Sequence, residues 1–275
     1  MSSFNYSVVI PFGKVEGNFI RCIKSTIEQA IQPTNVFVVC NGEVTEDYIK
    51  KLICDVELLN GKFISFVYPE RCTNANIARN FGLDLVKSDW VAFLDSDDWW
   101  DNDWVTNVKN AIKDENPDFL YGSLRVHGAK NRKFELICNH YQEQFTPENY
   151  LLAYRPAQTS SYFIKTELAK FARWDNNIRR HQDYDFFVRL VKITPKVLAI
   201  HNVSVNVDWT GPRRHKYHED CLKVVDNWAE CVEKKFYIRH LNNLRKSSFK
   251  SCDWNAYFKL SIKLINAMFN KKYLK

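Results

Sequence analysis

The sequence predicts an α/β fold built on a doubly wound, mostly parallel sheet with a C-terminal helical extension, and three observations carry that reading. Short apolar runs alternate with amphipathic segments through the first half. Runs such as VVI (8–10) and VAFL (91–94) lack the period-two alternation of strands with one wet face, as expected where both faces are covered. Beyond residue 216 the apolar positions fall at helical spacing, with no strand-like run.

The elements follow in order. YSVVI (6–10), NVFVVC (35–40), KFISFVY (62–68) and DWVAFL (89–94) read as strands, and 17–31, 45–58, 74–86 and 101–113 as the helices between them. Right-handed crossovers lay such strands parallel, and ligands of these sheets bind beyond the carboxyl ends. The loops that matter therefore begin at Pro11, Asn41, Pro69 and Asp95. From 117 to 140 two extended segments flank the polar turn GAKN. A short helix near 147–153, a strand near 158–164, a helix near 182–192 and two strands over 196–208 complete the mixed second half. One helical stripe spans 215–239 through Leu222, Val225, Trp228, Val232 and Phe236. Another spans 252–269 through Trp254, Phe258, Ile262, Ile265 and Phe269, and the polar stretch 242–251 between them reads as a linker.

At 275 residues, 45% hydrophobic and 15% aromatic, the chain can bury a substantial core. No apolar run is long enough to cross a bilayer and no secretory signal follows Met1, so the expected location is cytoplasmic. Eight cysteines without metal-ligand spacing read as free thiols. The net charge of +7 suits nucleic acid, anionic lipid or a phosphorylated substrate alike. Basic residues are not interleaved with aromatics on one surface, and acidic groups crowd the strand ends, which argues against nucleic acid. Lys246, Lys250, Lys259, Lys263, Lys271, Lys272 and Lys275 border the second helical stripe. That helix could lie on an anionic bilayer, a peripheral membrane contact, or pack on the main domain.

In WVAFLDSDDWW (90–100) the strand stops at Asp95, and in extended backbone Asp95 and Asp97 point the same way. Two carboxylates facing one small volume suit a hard cation, Mn²⁺ or Mg²⁺, that bridges to a diphosphate. The competing reading is that the acidic run caps the next helix. SVVIP (7–11), VVCNG (38–42), NIARNFGL (76–83), WVAFLDSDDWW and QDYDFFVRL (182–190) occur in that order. Together they resemble the inverting family 2 glycosyltransferases of the GT-A fold, of bacterial surface-polysaccharide type, over residues 6–215.

The resemblance implies a catalytic domain over 1–215, divided into a nucleotide-sugar-binding half (1–115) and an acceptor-side half (116–215), with 216–275 as the extension. It implies a nucleoside-diphosphate sugar donor, UDP-sugar favoured, and a glycan or lipid-linked glycan acceptor. Pro11 matches a backbone contact to the nucleoside, and equally a strand end. Asn41 stands where the family usually has a base-recognising Asp, and Asn-Gly is also a turn dipeptide. Arg79 matches an arginine near base and diphosphate, or else a structural partner of Asp95. Asp95 would meet the ribose or support the metal, which Asp97 would ligate. Asp183 matches the general base, its usual Glu neighbour replaced by Gln182, and it leads a helical face of Phe186, Phe187, Leu190 and Val191. Its competing reading is a helix N-cap. Arg213 and Arg214 lie in DWTGPRRHKYH (208–218), matching a basic segment that closes over the diphosphate, with His215 as a third metal ligand or a solvated histidine. A nucleotidyltransferase and a non-catalytic sugar-nucleotide binder are the alternatives, the former weakened by the poor phosphate loop PFGKVEGN (11–18).

Overall fold

The chain is described by a computed structural model covering residues 4–13, 18–42, 44–53, 63–154, 158–210 and 218–269. Its first half is the expected alternation: β1 (Tyr6–Phe12), α1 (Phe19–Ile27), β2 (Asn35–Cys40), α2 (Glu46–Ile53), β3 (Ile64–Val67), α3 (Ala75–Leu85) and β4 (Trp90–Phe93). A two-residue β5 (Trp99–Trp100) and α4 (Trp104–Glu115) lead into the hairpin β6 (Phe119–Gly128) and β7 (Arg132–Leu136). Then come α5 (Pro147–Tyr154), β8 (Phe163–Lys165), α6 (Thr166–Ala172), α7 (Gln182–Ile193) and β9 (Val197–Trp209). The helices α8 (His218–Asn227), α9 (Lys234–Lys250) and α10 (Trp254–Phe269) close the chain.

One sheet runs β3-β2-β1-β4-β8-β6-β9-β5, with β7 hydrogen-bonded to β6. The strands β3, β2, β1 and β4 are parallel, and β8 then enters antiparallel beside β4. Alternate residues of β1 feed opposite cores. Val9 packs with Phe93 and the α3, α6 and α7 side, whereas Val8 and Ile10 pack with the α1 and α4 side. That double burial is why the strands are apolar throughout. The helix α3 lies close on the sheet because Gly82 has no side chain, a Cβ there falling 2.5 Å from a methyl of Val9.

The second half departs from the sequence reading in particular places. Residues 196–208 form one strand, not two, because β9 absorbs irregularities opposite Gly122 and Ser123 of β6 and continues. The strand expected at 158–164 begins with a 3-10 turn at Thr159–Ser161 and becomes extended only at Phe163. The stripe over 215–239 is broken after Asn227 and resumes at Lys234, although Val225, Trp228 and Val232 are buried as expected. The presumed linker 242–251 is helical through Lys250, since Leu241, Leu244 and Ser248 bury one face. Both α8 and α9 share the core that lines α7, so the helical extension is continuous with the main body.

Cys22, Cys40, Cys72 and Cys138 are buried free thiols, and no disulfide joins the described cysteines. Among the described residues no helix is long and apolar enough to cross a membrane.

Candidate active site

The site is built at the carboxyl ends of β1, β2 and β4. Pro11 is tolerated inside β1 because its missing N–H would face β4, whose pairing has already ended at Val9 opposite Phe93. Asn41 follows β2 directly, its N–H donating to the Phe12 carbonyl at 2.8 Å. Gly42 turns the chain in the left-handed region at φ 69°. The Asn41 amide lies over Gly13, where a Cβ would fall 1.9 Å from its Oδ1.

After β4 the carboxylates sit in a tight turn rather than in extended backbone, for the Asp98 N–H donates to the Asp95 carbonyl at 3.0 Å. Ser160 organises this turn, accepting from the Asp95 N–H at 3.1 Å and donating to the Asp98 carboxyl. Asp98 faces inward and also accepts from the Asp208 N–H at 2.8 Å. Burial, with Asp97 and Asp95 beside it, pushes its carboxyl well above the usual range. It is therefore a buried structural group and leaves Asp95 and Asp97 to line the cleft. The acidic run does not cap α4, since the side chain of the N-cap Asp103 accepts from no backbone N–H of the helix and Asp101 is engaged by Arg125 and Asn206.

NIARN in α3 works as one face. Asn74 caps the helix, its side chain accepting from the Asn76 and Ile77 N–H groups. Asn76 donates to the carbonyls of Asp175 and Ile178, and Asn80 donates to that of Trp174 while accepting from its N–H. The loop leading into α7 is thereby fixed. Arg79, 4% exposed, donates to Asp95 Oδ1 at 2.6 Å, to Gln182 Oε1 at 2.7 Å and to Asn76 Oδ1 at 2.9 Å, with its guanidinium 4.6 Å from the Trp174 ring centroid. Arg79 is thus the structural partner of Asp95, and it also lines the cleft. Gln182 accepts where a glutamate would have formed an ion pair, and its amide donates to the Arg179 carbonyl at 2.8 Å.

Asp183 stands in the first turn of α7, one residue past its start, while the N-cap is His181 at φ 56°. Its Oδ1 accepts from the Tyr184 N–H at 3.0 Å, and the Tyr162 hydroxyl holds its carbonyl at 2.9 Å. Desolvation by the surrounding protein raises the carboxyl to about 6, aided by Asp95, while the Tyr184 N–H and Arg79 oppose the shift. Asp185, two residues on, is engaged by Arg189 at 2.7 Å and does not line the cleft.

One cleft of about 470 Å³ gathers Pro11, Asn41, Arg79, Asp95, Asp97 and Asp183. Sequence reasoning missed Gly13, Gln158, Thr159, Arg179, Arg180 and His181, which line it too. The basic pair directly before Gln182-Asp183 was the available signal. Arg213, Arg214 and His215 lie outside the described residues, as does the 215/216 domain boundary. A second hollow of about 620 Å³ between α1 and β5 contains none of the site residues. Its aromatic wall Trp99 is covered by Arg21, whose guanidinium lies 3.3 Å from the ring centroid.

The mixed sheet, with acidic groups after β4 and a carboxylate at the start of α7, is the fold shared by solved GT-A glycosyltransferases. The profile described as "Glycosyl transferase family 2" matches residues 7–175, and the chain belongs to that family. It is 27% identical over 273 residues to the amylovoran biosynthesis glycosyltransferase AmsB of Erwinia amylovora, covering 97% of this chain and 89% of AmsB. Among solved structures, Staphylococcus aureus TarS 1-349 in complex with UDP-GlcNAc superposes with a TM-score of 0.66 at 16% identity, over 96% of this chain and 81% of that one. GalNAc-T7 with UDP, GalNAc and Mn²⁺ superposes at 0.60 and 18% identity, over 83% and 49%. The protein is a glycosyltransferase enzyme, and a nucleotidyltransferase is set aside by the family match.

Proposed function

We propose that the enzyme moves a sugar, with inversion, from a nucleoside-diphosphate sugar to a hydroxyl of a glycan or lipid-linked glycan acceptor in surface-polysaccharide assembly. The observation that carries this reading is the single cleft in which Asn41, Asp95, Asp97 and Asp183, from separate parts of the chain, line one volume. UDP is the favoured nucleotide, in keeping with the TarS complex, and Asn41 can both donate to and accept from a base edge.

The residues present fit a divalent cation. Asp97 and the Asp95 carboxylate, half-occupied by Arg79, would offer hard oxygen donors to Mg²⁺ or Mn²⁺. When bound, such an ion neutralises charge on the departing diphosphate. Arg79 holds both Asp95 and Gln182, so one guanidinium ties the turn after β4 to the start of α7, which carries Asp183. Asp183 takes the proton of the acceptor hydroxyl as that oxygen bonds to the anomeric carbon and the bond to the diphosphate oxygen breaks. A carboxyl near pH 6 is ionised at neutral pH yet basic enough to accept the proton.

Titration calorimetry of UDP, GDP, dTDP and CMP, each with Mn²⁺ and with EDTA, tests the donor half of this reading. The expected result is binding of UDP that requires the metal and is lost in Asp97→Ala. Absence of metal-dependent binding for all four nucleotides would overturn it.

A further inference from the structure

The helix α10 is packed inside out. Its small or slender side chains Ala256, Leu260 and Ala267 face the protein and are buried. Leu264 packs partly buried beside them, whereas at 100° per residue six other large apolar side chains fall on the opposite side of the axis. Trp254, Phe258, Ile262, Ile265, Met268 and Phe269 are each at least half exposed, Phe258 and Ile262 at 62% and Phe269 at 81%. A helix folded only against its own domain would bury this stripe and show the alanines. The orientation is fixed by specific contacts on the inner flanks. Lys259 pairs with Glu219 at 2.5 Å, Lys263 with Asp226, and the Lys234 ammonium donates to the Met268 carbonyl at 2.9 Å.

The patch continues onto α9, where the exposed Phe249 ring meets that of Trp254 at 5.5 Å. Lys246 and Lys250, both exposed, stand on either side of Phe249 in the sequence. Residues 234–269 carry eight lysine or arginine side chains against one carboxylate, Asp253. That excess equals the net charge of the entire chain, +7. From Trp254 to Lys275 the sequence has no acidic residue at all.

We infer that the exposed face of α10, with the Phe249 end of α9, docks on an anionic lipid bilayer, its aromatic and aliphatic stripe entering the headgroup boundary and Lys246 and Lys250 meeting anionic headgroups. The charge selects this occupant over a second copy of the chain. A symmetric dimer through the patch would set one lysine-bordered face against another, whereas anionic lipid neutralises it. Bilayer contact of this kind draws on buried apolar area and electrostatic attraction together, and both are present. Neither Phe249 nor any residue of α10 lines the cleft, so bilayer contact and donor binding can fail independently.

Flotation of the full chain with vesicles of phosphatidylcholine alone, and of phosphatidylcholine containing about one third phosphatidylglycerol, tests it. The chain is expected to float with the anionic vesicles and to be released by salt. Phe258→Ser combined with Ile262→Ser should lower partitioning by about tenfold or more, with melting temperature and UDP binding unchanged because both side chains are exposed. Lys246→Glu combined with Lys250→Glu should weaken binding to the anionic vesicles alone. A wild-type chain that stays in the aqueous fraction would overturn the inference. So would sedimentation equilibrium showing a dimer that Phe258→Ser with Ile262→Ser converts to monomer while neither form binds vesicles.

Discussion

If Asp183 is the proposed base, one proton on it couples catalysis and stability. Its carboxyl titrates near 6, so kcat/KM should rise with pH below that value with unit slope and level off above it, as a pH–rate profile would show. The sign for stability is the reverse of a salt-bridged aspartate. The folded chain holds this proton more tightly than the unfolded chain, whose aspartates titrate near ~3.9, so stability falls as pH rises between the two values and stays lower above them. Asp183→Asn should therefore stabilise the fold at about pH 7, by on the order of 1 to 3 kcal/mol, and change little near pH 4. Urea unfolding at both pH values checks this; a destabilised variant at neutral pH would contradict it. The amide keeps the Oδ1 that accepts from Tyr184, so no compensating bond is lost.

Among the elements, α3 bears most on the site, and its residues separate binding from stability. Arg79→Ala leaves Asp95 and Gln182 without their buried partner and should cost about 3–5 kcal/mol, read as a lowered melting temperature. Gly82→Ala forces a methyl against Val9 and should cost about 1–3 kcal/mol while leaving UDP affinity unchanged. Gly13→Ala should do the opposite: the atom it meets is the mobile end of Asn41, so the fold tolerates it and the nucleotide contact suffers. Calorimetric UDP binding beside thermal melts distinguishes the two glycines. The α3 motif was legible because Asn76, Arg79 and Asn80 share a helical face. Its division of labour was not, since the loop partners Trp174, Asp175 and Ile178 are about a hundred residues away in sequence. The same limit hid Asp98, whose inward turn depends on Ser160 and Asp208. At the other end of the chain, no glycine or proline marks the break between α8 and α9, so the apolar period alone read 215–239 as continuous.

At the scale of the whole molecule, the parallel half was readable from sequence because burial on both faces leaves an apolar run for every strand. The mixed half was less so, because β8 and β5 are too short to carry a period and β9 is irregular opposite β6. The cleft is tied to α7 by Arg79, with α8 and α9 packed into the core that lines α7 and α10 turning a basic-bordered apolar face outward. On the proposed reading, donor binding and proton abstraction belong to different carboxylates in one cleft. The most direct test measures UDP affinity with Mn²⁺ by calorimetry and transfer of sugar to acceptor by mass spectrometry, in wild type and in Asp183→Asn. In Asp183→Asn, UDP affinity should stay within about twofold of wild type while transfer falls by about 10²–10⁴-fold. Transfer at the wild-type rate in Asp183→Asn would contradict it.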